Sequence, residues 1–108
     1  MTESRGLTED CPEQPARPGA VVRVIRIVNE KGLHARASAK FVQTVEKFDA
    51  DVRVTRCGES VGGTSIMGLM SLAAARGTEI TVDAIGKDAE AVMAAIDSLV
   101  SGRFGEDE

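Results

Sequence analysis

The hydrophobic spacing of this chain switches between period two and period 3.6 in short runs from Val21 onward. That switching constrains the fold, because a strand buries alternate positions and a helix buries a stripe. Val21 to Val28 is a β-branched run interrupted by Arg23 and Arg26, which reads as a strand. From about Ala35 to Glu46 the spacing is helical, with Ala37, Phe41, Val45 and Phe48 on one side. Asp51 to Arg56 returns to period two, with Val52 and Val54 sharing a face. Cys57-Gly58 then makes a tight turn into a short return strand, Glu59 to about Gly62. Ser65 starts a brief helix through about Leu72, and Gly77 breaks the chain after it. Thr78 to Ile85 alternates, with Ile80, Val82 and Ala84 inward and Glu79, Thr81 and Asp83 outward. Asp88 caps a last helix whose buried stripe is Val92, Ile96 and Leu99.

The predicted order is β-α-β-β-α-β-α. Short strands with one polar side fit an α+β fold, an open-faced sandwich. It has a four-stranded antiparallel sheet and three helices on one face. With three Phe and neither Tyr nor Trp, the core must be built from aliphatic side chains. All the prolines, Pro12, Pro15 and Pro18, fall in the first twenty residues beside Glu3, Glu9, Asp10 and Glu13. That segment cannot bury enough apolar surface to order itself, so residues 1–20 read as a flexible tail. Residues 21–101 read as one domain. Residues 102–108 are polar except for Phe104 and are expected to fray.

Several function classes drop out. A formal charge of −4 argues against nonspecific nucleic-acid binding, which depends on neutralising phosphates. No apolar run approaches the roughly 18 residues of a membrane span, and the N-terminus has no secretory h-region, so a cytoplasmic protein is expected. Cys11 and Cys57 lack metal-ligand or CxxC spacing and read as reduced thiols, with a disulfide as the lesser alternative. One histidine with two scattered cysteines makes a poor metal site. With no Walker A or Rossmann fingerprint, no cofactor or bound nucleotide is expected.

His34, the single histidine, opens a helix-start signal, Gly32-Leu33-His34-Ala35-Arg36-Ala37. Most lone histidines are structural or surface residues. Here the neighbours favour chemistry. Histidine is a poor N-cap, and a broken local rule is commonest at functional sites. The helix start presents free amides, supplied here by Ala35, Arg36 and Ala37, and a positive dipole end that attracts phosphate. Arg36 adds a forked cation that fits phosphate oxygens. A free imidazole, with a pKa of about 6.5, is largely neutral and nucleophilic near pH 7. Phosphoryl transfer needs little more than a positioned nucleophile and such donors. The donor is then expected to be a partner protein.

Together with Ser65-Ile66-Met67-Gly68-Leu69-Met70-Ser71-Leu72, about thirty residues on, the Gly32–Arg36 motif resembles the HPr family. These are phosphocarriers of the bacterial phosphoenolpyruvate-dependent phosphotransferase system. The resemblance covers roughly residues 21–101 and implies the same β-α-β-β-α-β-α sandwich. It implies that His34 accepts a phosphoryl group on Nδ1 from enzyme I and passes it to enzyme IIA proteins, Arg36 assisting. Such a protein is a carrier and not an independent turnover enzyme. A monomer is expected. Ser65 matches the family's regulatory serine, the target of an HPr kinase/phosphorylase in lineages that have one. It also reads simply as an N-cap, and the two readings are compatible. Ile66, Met67, Leu69 and Met70 fall on the helix that the family uses for docking; Met67 and Met70 suit an adaptable exposed patch. The family's usual proline after the arginine is Ala37 here. A regulatory interaction module switched at Ser65, with little transport role, is the alternative.

Overall fold

The computed structural model describes residues 17–106 of the 108. Its elements run β1 (Val21–Arg26), α1 (Ala35–Val45), β2 (Asp51–Arg56), β3 (Glu59–Gly62), α2 (Ile66–Ser71), β4 (Glu79–Ile85) and α3 (Ala89–Ser101). The strands form one antiparallel sheet in the order β1-β4-β2-β3. The predicted α+β open-faced sandwich is what forms. Cys57 and Gly58 both have positive φ, the requirement of the two-residue hairpin turn that joins β2 to β3.

The sheet's inner positions, Ile25, Val52, Val54, Ile80, Val82 and Ala84, are buried. Against them lie Ala37, Phe41 and Val45 of α1, Leu69 of α2, and Val92, Met93 and Ile96 of α3. The opposite face is open, and Val24 is 59% exposed on it. Ser65 caps α2 through its Oγ, which accepts from the Gly68 amide at 2.9 Å. No helix among the described residues is long and apolar enough to cross a membrane.

Four details depart from the sequence reading. First, β1 ends at Arg26, although Ile27 continues to pair with the segment before β4 through the Ile27 amide and Thr78 carbonyl at 2.9 Å. Second, the buried stripe of α3 continues from Ile96 to Val100 and leaves Leu99 half-buried; four residues return closer to the starting angle than three on this face. Third, Asp83 is nearly buried, because Arg17 donates to it (2.9 Å) and to Asp51 (2.8 Å). A charge can leave water when it is paired in this way. Fourth, Cys57 is disulfide-bonded rather than a free thiol. The other cysteine, Cys11, lies outside the described residues, as does most of the segment expected to be a flexible tail.

The far end differs more. Residues 102–108 were expected to fray, yet Arg103–Gly105 form a helical turn and Phe104 is 1% exposed. Arg103, Phe104 and Gly105 all take positive φ. The reversed backbone swings the chain off the end of α3 and drives the phenyl ring into the core. Burying an aromatic ring outweighs the roughly 1–2 kcal/mol that each left-handed non-glycine residue costs. Only 107–108 lie beyond the described residues at this end.

Candidate functional site

The loop from β1 to α1 is built to hold one histidine at a helix start. Gly32 takes φ +66, and a Cβ there would lie 2.4 Å from the Ala74 carbonyl oxygen. Only glycine meets both conditions. That close approach lets the Leu33 amide donate to the Ala74 carbonyl at 3.0 Å, tying the loop to the segment after α2. Leu33 is buried beneath it. Buried Ser38 donates its hydroxyl back to the Leu33 carbonyl at 3.3 Å. Buried Asn29 closes the loop from inside, its Nδ2 donating to the Gly32 carbonyl at 2.9 Å.

His34 then occupies the N-cap of α1 with extended backbone and makes no side-chain capping bond. Its carbonyl accepts the Ser38 amide at 2.9 Å, the first bond of the helix. The amides of Ala35, Arg36 and Ala37 precede that bond and have no intrahelical acceptor. The His34 side chain is 27% exposed. It lies in a depression of about 340 Å³ lined by Glu30, Lys31, His34, Arg36, Lys40, Gly105 and Glu106. His34 and Arg36, singled out from sequence, therefore share one concavity, together with two lysines that sequence reasoning had not enlisted.

Glu106 is the residue that sequence reasoning missed. Its Oε2 is hydrogen-bonded to His34 Nε2, and its Oε1 accepts from Asn29 Nδ2 at 3.1 Å. Burial opposes ionisation of this carboxyl. The hydrogen bonds from His34 and Asn29, with the charge of Lys31, outweigh it and hold Glu106 below the ordinary glutamate range. Lys40 Nζ donates to the Phe104 carbonyl at 2.6 Å and fastens the same segment to α1. One signal for this was present in the sequence: a lone Phe, too apolar for a frayed end, two residues before the glutamate.

The second predicted locus sits on α2, which packs against α1. Ser65 is exposed at its start. Ile66, Met67 and Met70 are exposed, Met67 at 76%. Leu69, grouped with them in the docking patch, is fully buried and belongs to the core. On a short helix against a sheet one side must face inward, and Leu69 is on it. Chemically, the first locus offers an imidazole with one ring nitrogen engaged, helix-start amides and several cations. That set suits a transient covalent bond to an anionic group. Among the described residues no cluster suits a metal ion.

Residues 21–101 match the family described as PTS HPr component phosphorylation site. The chain is 51% identical over 84 residues to "Phosphocarrier protein HPr" of Neisseria meningitidis serogroup A, covering 78% of this chain and 94% of that protein. It is 44% identical over 85 residues to the protein of the same name from Pseudomonas aeruginosa, with 78% and 94% covered. Among solved structures, HPr-C-His from Thermoanaerobacter tengcongensis superposes with a TM-score of 0.78 at 39% identity, covering 82% of this chain and 99% of that one. The HPr dimer from the same organism gives a TM-score of 0.65 at 41% identity, covering 76% and 94%.

Proposed function

Because the chain belongs to the HPr family of phosphotransferase-system phosphocarriers, we propose that His34 accepts a phosphoryl group from enzyme I and passes it to enzyme IIA proteins. The observation that carries this reading is the placement of the one imidazole. His34 caps α1 with its side chain unused by the helix, partly exposed, in a depression shared with Arg36, Lys31 and Lys40. Neutral Nδ1 attacks the phosphorus of the donor's phosphohistidine. The donor's N–P bond breaks, its electron pair returns to the donor ring, and an Nδ1–P bond forms on His34. Arg36 and the Ala35 and Ala37 amides receive the phosphoryl oxygens, at the end of the helix where negative charge is favoured. Transfer onward is the same displacement in reverse. Nothing in it requires a cofactor. The carrier works as a cytoplasmic monomer between its partners.

The test is labelling with phosphoenolpyruvate and enzyme I. An acid-labile, base-stable label is expected on the wild type and none on His34→Ala. Equal labelling of the two refutes the assignment.

A regulatory role at Ser65 has its own support. The hydroxyl is at an exposed helix start, and exposed Met67 and Met70 follow directly. A phosphate there, placed by an HPr kinase/phosphorylase, adds about two negative charges beside an apolar patch. The patch, Ile66, Met67 and Met70, is the docking surface in this reading. Ser65→Asp should weaken capture of enzyme I and enzyme IIA; unchanged capture counts against the switch.

A further inference from the structure

We propose that Glu106 is a positioning residue for transfer at His34: its carboxylate holds the proton on Nε2 and so leaves Nδ1 as the ring nitrogen with the free electron pair. The inference rests on the carrier reading and adds to it a residue from the far end of the chain.

An ionised carboxylate has no proton to give, so a hydrogen bond between Glu106 Oε2 and His34 Nε2 requires N–H on Nε2. In a neutral imidazole that arrangement puts the lone pair on Nδ1. The ring is also fixed in rotation, because its second nitrogen is tied down. The same logic operates wherever a carboxylate orients a catalytic histidine.

A carboxylate on a loose tail orients nothing. Here Oε1 is held by Nδ2 of Asn29, a residue with no exposed surface that also bonds the Gly32 carbonyl. Phe104 anchors the same segment in the core, and Lys40 grips its carbonyl. The loop that precedes the histidine and the segment that follows α3 are therefore joined through one amide side chain.

When the Nδ1–P bond forms, the ring keeps its Nε2 proton and gains a positive charge. Glu106 then faces that cation directly, while Lys31 and Arg36 line the depression for the phosphoryl oxygens; Glu30 is the other acid lining it. When the group moves on, the electron pair of the breaking bond returns to Nδ1 and the ring is neutral again, its proton never having left Nε2. The competing effect is repulsion between Glu106 and the incoming anion. The two effects predict opposite changes in rate when the carboxylate is removed.

The experiment uses the full chain with ¹⁵N-labelled histidine, as wild type, Glu106→Ala and Glu106→Gln. The unphosphorylated wild type should show a downfield, slowly exchanging Nε2–H proton. Glu106→Ala should lose it; Glu106→Gln should retain it, because the amide oxygen still accepts. Transfer from phosphorylated enzyme I should slow roughly ten- to hundredfold in Glu106→Ala, the loss of one hydrogen bond to a charged group, and recover in part in Glu106→Gln. An imidazole spectrum unchanged in Glu106→Ala, or transfer as fast as or faster than wild type, overturns the proposal. So does a Gln variant that matches Ala in both measurements. Failure of the carrier reading is seen separately, as labelling that survives His34→Ala.

Discussion

Phe104→Ala tests how the end of the chain is held. A buried phenylalanine removes about 150–250 Å² from water, worth about 4–6 kcal/mol at about 25 cal/mol per Å². The denatured chain already hides roughly 10–40% of such area. Alanine also keeps the first carbon of the side chain. What remains is about 3 kcal/mol, at the lower edge of measured Phe→Ala costs in cores. Against a total of about 5–15 kcal/mol that loss is large, and for a domain of this size it lowers Tm by about 12–24 °C. The ring is 1% exposed, so the full cost applies. Phe104→Leu keeps most of the volume and should cost about 1 kcal/mol. Urea unfolding followed by circular dichroism measures both, with an unchanged m-value expected. If Phe104→Ala lies within about 1 kcal/mol of wild type, the ring is no part of the core. Residues 103–106 would then fray, as their composition alone suggests.

Gly32→Ala should cost about 2 kcal/mol or more, because it combines a left-handed φ with a Cβ 2.4 Å from a backbone carbonyl that cannot swing away; thermal unfolding reads the loss. Ser65→Ala removes the bond to the Gly68 amide and should cost about 1 kcal/mol, while Ser65→Asp keeps the cap and should stay near wild type. Glu106 has a folded-state pKa below its ordinary 4.5. Its contribution to stability is therefore complete above that value and is lost as pH falls through the lower, folded one. Urea midpoints taken from about pH 7 to about pH 3 should show wild type and Glu106→Gln converging in acid. A gap that stays constant with pH refutes the coupling.

Much of the fold was legible in the periods of the sequence. Ile80, Val82 and Ala84 alternate with polar neighbours and are buried as the alternation requires. Ser65 caps α2 as its chemistry suggests, whereas Asp88 stands at the start of α3 without a side-chain capping bond, its Oδ2 instead accepting the Asp49 amide at 2.8 Å. In two places a contact distant in sequence made the difference. Asp83 looked like a solvent-facing acid, and is nearly buried because Arg17, sixty-six residues away, pairs with it. The family resemblance placed Leu69 with the docking residues of α2, and the packing of α2 turns it inward.

The candidate site divides the same way. Local sequence determined the loop and its histidine: Gly32 for the backbone, Leu33 for the anchor, His34 at the cap and Arg36 in the first turn. Their order along the chain is what a linear motif records, although the structure ties Gly32 and Leu33 to the distant Ala74 carbonyl. Tertiary structure alone decided that Glu106 reaches His34, seventy-two residues away. That contact depends on left-handed turns at Arg103 and Phe104, on a ring packed in the core and on Asn29 lying between. None of these has a periodic signature, because a side chain's partner across the fold is set by where two elements meet.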